Sequence, residues 1–186
     1  MKYEVEKKAR LRDPSAVEAA VGKLASFEGE SQKEDRYYLI GARPGDRIDM
    51  KRDPIFRVRT EGGRCVICAK KRLMRADSEV NEEVEIPAGG PEETVWFFER
   101  YLGIAPFVVK RKRTRLYAMG DMHVEINHVD GLGPFLEVEI IKERLDGEEE
   151  GRTLRRIDGL FERLGIPGSD VEPRYYIEML MEKKGY

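Results

Sequence analysis

The chain has 186 residues, 40% of them hydrophobic and 38% charged, with 34 Lys and Arg set against 36 Asp and Glu for a net charge of −2. That length suits one domain spanning residues 1–186 with a real core, and the near-balance of charge argues against a sequence-blind nucleic-acid binder, which needs a strong basic excess. No apolar run approaches the roughly 18 residues of a membrane span, and MKYEVEKKAR is charged from the start rather than leader-like, so a soluble, cytoplasmic protein is expected.

In chain order, Lys2 to Leu11 alternates, with Tyr3, Val5 and Lys7 on one face and Glu4, Glu6 and Lys8 on the other, which predicts a strand. Asp13-Pro14 then predicts a helix start, Asp13 as N-cap and Pro14 at the first helical position, continuing through PSAVEAAVGKLASF. Short strands are expected at Asp35–Leu39, Ile55–Thr60 and Cys65–Lys70, the last two joined through Gly62-Gly63 as a hairpin. Glu82–Ile86 reads as another strand, and PEETVWFFERYLG as a helix with acids in its first turn and Gly103 at its end. In that helix Trp96, Phe97 and Phe98 read as packing against the sheet. Strands follow at 107–119, 123–128 and 135–141, then helices from about Arg152 to Leu164 and from Pro173 to Lys183, with Glu148–Gly151 as a solvated turn. Eight short strands and four helices predict an α+β fold, its mainly antiparallel strands closing into an eight-stranded β-barrel with flanking helices.

Cys65 and Cys68 form a CxxC string without a second one, and the two histidines are His123 and His128. On a strand the two cysteines point to opposite faces, which suits neither chelation nor a disulfide. Two reduced thiols of an intracellular protein are expected.

The charged residues on these strands come in same-face pairs: Glu4 and Glu6 with Lys8, Arg57 and Arg59, Glu83 and Glu85, Glu137 and Glu139. Any one pair fits the wet face of an antiparallel sheet. Together, with acids dominating some strands and bases others, they fit a barrel whose charged faces turn inward. Acids there could bind a hard cation such as Mg²⁺ or Mn²⁺, and bases could neutralise a polyphosphate, Arg by bidentate contacts.

The order of these pieces resembles the CYTH family, which includes class IV adenylate cyclases and thiamine or inorganic triphosphatases. Glu4-Val5-Glu6-Lys7-Lys8 resembles its ExExK signature, Glu34–Tyr38 its second-strand motif, and Phe56-Arg57-Val58-Arg59 its LRxR strand. Lys70 resembles its strand-end lysine, Glu83 and Glu85 its central ExE pair, and Lys110–Arg115 its basic strand. Gly131–Glu139 resembles GLGxFxExE, the most specific piece, and Arg174–Leu180 its terminal helix. The resemblance covers essentially the whole chain and is nearest the cyclase branch.

The resemblance implies a tunnel in which Glu4, Glu6, Glu137, Glu139 and Asn127 hold Mg²⁺ or Mn²⁺, and Lys8, Arg57, Arg59 and Lys70 grip a triphosphate. Lys70, Glu83 and Glu85 would serve catalysis, the glutamates ordering water or a nucleophile. Counting back from the GLG loop favours Arg111 and Arg113 as the inward basic pair, whereas a one-residue slip would turn Lys110 and Lys112 inward. Asn127 stands where the family usually has an aspartate, and Asn81 where an arginine is common. Glu125, two residues before Asn127, shares its face and could compensate. His123 falls on that face too, either in the lumen or as a polar rim residue. The implied activities are cyclisation of ATP to cyclic AMP and pyrophosphate, hydrolysis of an inorganic or organic triphosphate such as thiamine triphosphate, or nucleotide binding with feeble catalysis. The expected partner is a small-molecule triphosphate such as ATP or tripolyphosphate, with no nucleic acid or membrane, in a monomer or homodimer.

Overall fold

The computed structural model describes residues 2–39, 55–75 and 78–184; side chains at position 2 and at 70–83 lie outside the described residues. Eight strands are seen: β1 (Lys2–Arg10), β2 (Ser26–Leu39), β3 (Ile55–Glu61), β4 (Arg64–Arg75), β5 (Ser78–Pro87), β6 (Val108–Met119), β7 (Met122–Val129) and β8 (Gly133–Lys142). The helices are α1 (Pro14–Val21), α2 (Pro91–Trp96) continued by a π-turn at Phe97–Tyr101, α3 (Gly147–Arg163) and α4 (Tyr176–Lys184). The strands form one strongly curled antiparallel sheet in the order β1-β5-β4-β3-β2-β6-β7-β8. β1 pairs with β5 on one side and with β8 on the other, Tyr3–Arg10 lying against 135–142.

Local chemistry explains most boundaries. Asp13 caps α1 by accepting from the Ala16 amide at 3.0 Å, with Pro14 next, as expected. The helix stops at Val21, however, and Ser26 and Phe27 already belong to β2. β2 begins nine residues before the expected Asp35; its first half, SFEGESQKE, is mostly polar and carries no apolar alternation to mark it as a strand. Gly62 and Gly63, at φ 55° and 76°, make the β3–β4 hairpin with a backbone that only glycine adopts readily.

Glu148–Gly151 is not a turn but the start of α3. Asp146 caps it by accepting from the Glu149 amide at 2.8 Å, and the acids sit at the electropositive helix end. Ile157, Leu160 and Phe161 then pack against the outward faces of β1 and the strands beside it, through Val5, Ala9, Val138 and Ile140. Turning these apolar residues outward obliges the alternate, charged residues to face the inside of the curl.

Over β2, β3 and β4, Phe98 stacks 5.5 Å from Tyr38 beside Val58 and Cys65. Trp96 and Phe97 do not share that packing: they stand half exposed on the outer side of the helix, one residue out of phase with Val95 and Phe98. Cys65 lies in this outer cluster and Cys68 in the interior; both are buried and neither forms a disulfide. Among the described residues, no helix is long and apolar enough to cross a membrane.

Candidate functional site

The inward faces enclose a cavity of about 360 Å³ lined by six acids and six bases: Glu4, Glu6, Glu85, Glu125, Glu137 and Glu139, with Lys8, Lys33, Arg57, Arg59, Lys110 and Lys112. Strand register arranges them in rungs. Lys8, Glu137 and Glu125 lie side by side across β1, β8 and β7, and Glu6, Glu139 and His123 form the next rung.

Two carboxylate clusters result. In one, oxygens of Glu4, Glu6 and Glu139 lie within 4.8 Å of one another, with the buried Lys8 ammonium 3.8 Å from Glu6. An oxygen-only donor set of this kind suits Mg²⁺ or Mn²⁺. In the other, the Lys112 ammonium lies 2.5 Å from Glu125 and 3.3 Å from Glu137. Asn127 supports that pair from below. It accepts from the Thr114 hydroxyl at 2.6 Å, and its amide donates to Glu125 at 3.1 Å and to Glu137 at 2.8 Å. Burial works against the charged form of Glu125, but Lys112 and Lys33 outweigh it and hold its carboxyl well below the usual range. Lys112 is pushed up despite its burial, by Glu137 and Glu125. The Tyr176 hydroxyl of α4 lies 3.3 Å from Glu137, and burial foremost, with the carboxylates around it, keeps the phenol protonated.

The basic wall is gathered around one fully buried acid, Asp35. Arg59 donates to both its oxygens, at 2.7 and 3.1 Å, Lys110 lies 2.8 Å away and Arg57 3.9 Å away. Burial opposes ionisation of Asp35, yet Lys110, Arg59 and Arg57 together hold its carboxyl well below the ordinary value. Lys8 and Lys110 also lie over the Tyr176 ring, at 5.6 and 5.3 Å. Close apposition and buried partners preorganise these cations toward the cavity.

Most of the expected residues meet here: Glu4, Glu6, Lys8, Arg57, Arg59, Glu85, Glu137 and Glu139 all line the cavity. Lys70, Glu83 and Asn81 have side chains outside the described residues. Arg111 and Arg113 are corrected. The β6 register turns Lys110 and Lys112 inward, both buried, while Arg111 is exposed and paired with Glu34 at 2.6 Å and Arg113 is exposed on the outer side. The outward Val109 to Arg115 series must share its parity with Tyr117, which packs in the outer core, and that long-range constraint selects the register. Asn127 is buried; its carbonyl oxygen takes the Thr114 hydroxyl and its amide steadies Glu125 and Glu137. Glu137 stands outside the group of three carboxylates. Lys33, Asp35 and Tyr176 were missed. Once β2 is known to start at Ser26, Lys33 and Asp35 fall on one inward face, whereas nothing in the α4 sequence foretells that its Tyr176 reaches Glu137.

The family model for the CYTH domain matches residues 2–176. The chain belongs to the CYTH family. A Methanocaldococcus jannaschii protein named as a candidate adenylate cyclase is 28% identical over 176 residues, 95% of this chain and 97% of its own length. A solved structure of a protein from Pyrococcus horikoshii is 28% identical and superposes with a TM-score of 0.77, covering 94% of this chain and 98% of its own. A Hippeastrum protein described as a candidate adenylyl cyclase with a dominant triphosphatase activity shares the fold at 16% identity and a TM-score of 0.66, covering 100% of this CYTH chain and 96% of its own.

Proposed function

We propose that this CYTH protein closes its sheet into a tunnel that grips a triphosphate beside a divalent cation and, as a class IV adenylate cyclase does, converts ATP to cyclic AMP and pyrophosphate. The observation that carries this is the grouping within the cavity: Arg57, Arg59 and Lys110 gathered around Asp35, and the Glu4, Glu6 and Glu139 carboxylates grouped beside Lys8. Six acids and six bases leave the lining near neutral among the described residues. A triphosphate adds several negative charges to it, and a divalent cation on the three carboxylates would offset two of them. The cation, when bound, polarises phosphate oxygens and lowers the pKa of a hydroxyl at its coordination sphere.

The chain's own part is positioning. Arg57, Arg59, Lys8 and Lys110 hold the phosphate oxygens by charge-assisted hydrogen bonds and stabilise the charge that builds up on pyrophosphate as it leaves. The ribose 3′ oxygen forms a bond to the α-phosphorus, the bond from that phosphorus to the bridging oxygen of the β-phosphate breaks, and the hydroxyl proton departs to solvent or a carboxylate. An apolar wall of Tyr37, Ile55, Tyr175 and Ile177 lines the same cavity. It would take the organic part of a nucleotide and favours ATP over inorganic tripolyphosphate.

A second activity, hydrolysis of a triphosphate, is favoured by Glu85, which lines the cavity and accepts from the Cys68 thiol at 3.1 Å. A carboxylate there can order an attacking water. Incubation with ATP and Mg²⁺ or Mn²⁺ decides: cyclic AMP with pyrophosphate supports cyclisation, orthophosphate supports hydrolysis, and no turnover of ATP or tripolyphosphate with either metal sinks both. Calorimetry under the same conditions separates a binding module, which would take up tripolyphosphate without turning it over.

A further inference from the structure

His123 has no part in the chemistry described so far, yet its place is specific. It lies directly across β7–β8 from Glu139, and Glu139 lies directly across β8–β1 from Glu6, so the three form one inward rung. Side chains directly opposite on a sheet have Cβ atoms about 4.5–5.5 Å apart. His123 also lines the same cavity as Glu4, Glu6 and Glu139. Its imidazole stands beside the group of three rather than inside it, and being exposed it can change rotamer on the picosecond-to-nanosecond scale. The chain has two histidines; His128 sits at the opposite parity of β7, on the outer side, next to Arg113 and Pro134.

We propose that His123 donates an imidazole nitrogen to the cation held by Glu4, Glu6 and Glu139, turning an all-oxygen site into a mixed nitrogen and oxygen site. This rests on the cation site proposed above. The consequence is metal choice. Carboxylates alone serve Mg²⁺, whereas an imidazole raises affinity along the Mn²⁺ to Co²⁺ series much more than for Mg²⁺. This CYTH chain therefore discriminates for transition metals against Mg²⁺.

Two measurements on the full chain test it. Pulsed electron paramagnetic resonance of the Mn²⁺-loaded protein should show coupling to a ¹⁴N nucleus, retained in His128→Ala and lost in His123→Ala. Calorimetric titration with Co²⁺ and with Mg²⁺ should show His123→Ala losing about tenfold or more in Co²⁺ affinity, the scale on which ligand-shell changes act, with Mg²⁺ affinity changed less than about threefold. Because His123 is exposed, the variant should keep the wild-type melting temperature, which excludes misfolding as the cause. Mn²⁺ binding without nitrogen coupling, or an unchanged Co²⁺ to Mg²⁺ affinity ratio in His123→Ala, overturns the role of His123 while leaving the carboxylate site standing. Failure of wild type to bind any of the three metals overturns the cation site itself.

Discussion

Two carboxylate clusters share the cavity and differ in what holds them. Glu125 and Glu137 are bridged by the Lys112 ammonium and by the Asn127 amide, and Lys33 adds a contact to Glu125 at 3.0 Å. Glu4, Glu6 and Glu139 crowd within 4.8 Å, with the Lys8 ammonium at 3.8 Å from Glu6. The first cluster is built around the Lys112 ammonium. The second brings three carboxylates together beside Lys8, and under the proposed function it is the one that takes the cation. Similar residue types on neighbouring rungs are thus arranged differently, one set interlocked with Lys112 and Asn127 and the other grouped as three carboxylates.

The largest expected effect breaks the first cluster. Lys112→Ala removes the ammonium between two buried carboxylates and should cost about 3–5 kcal/mol, the scale for unpairing a buried ion pair. Urea denaturation followed by circular dichroism measures it. Glu139→Gln, by contrast, thins the like charges of the second cluster and should leave metal-free stability unchanged or slightly raised, while Mn²⁺ affinity falls at least about tenfold. Equal destabilisation by both variants would mean that the two clusters do the same job.

Acid should act on the first cluster and on Asp35 in the same direction. Both Glu125 and Asp35 ionise below their ordinary values of 4.5 and 3.8. A depressed carboxyl contributes stability that is fully present above its unfolded value and is lost as pH falls through the folded one. Stability should therefore be flat above about pH 5 and decline steadily as pH drops below about 4.5. In Asp35→Asn the decline should be shallower, from a lower plateau, because three cations lose their common partner. A pH series of urea midpoints with an unchanged slope in the variant would remove Asp35 from this role.

The grip on phosphate should come next in size. Lys110→Ala and Arg57→Ala each delete a charged donor and should weaken tripolyphosphate binding by about 10- to 100-fold, the equivalent of a charged hydrogen bond. Isothermal titration at fixed salt checks it. Wild-type affinity in both variants would place the triphosphate elsewhere.

Asn127→Asp sharpens the comparison from the other side. The substitution exchanges the amide that donates to Glu125 and Glu137 for a third carboxylate beside them. It should cost about 1–3 kcal/mol and leave Mg²⁺ affinity unaltered, since Asn127 bonds to Glu125 and Glu137 and not to Glu4, Glu6 or Glu139. A gain in Mg²⁺ affinity would join the two clusters into one metal site.

How much of this was legible in the sequence follows from the range of each signal. Alternation within a strand is local, so Glu4 with Glu6 and Arg57 with Arg59 could be paired by eye and both pairs line the cavity. The α1 and α3 caps are local too, although the Asp146 cap was overlooked because the acids behind it resembled a solvated turn. Parity of β6 is a different matter. Lys110 to Arg115 is basic at nearly every position, so neither face stands out, and only packing against strands far away in sequence decides. The same holds for Lys33, hidden in the polar half of β2, and for Asp35, the first residue of the expected strand, because their pairing with Lys112 and Arg59 is set by β6 and β3.

That parity makes the smallest expected effect the most exacting one. Arg111 is exposed, and its partner Glu34 is half-buried on the outside of the sheet; Arg113 is exposed beside the cross-strand His128. Exposed pairs contribute at most about 1 kcal/mol, and both side chains point away from the cavity. Arg111→Ala and Arg113→Ala should thus shift stability by no more than about 0.5 kcal/mol and change tripolyphosphate affinity less than about twofold at physiological salt, where charges beyond roughly 8 Å are screened. Side by side with Lys110→Ala in the same titration, they read the face of β6 directly. A tenfold loss in either arginine variant would turn the strand over, and with it the basic wall around Asp35.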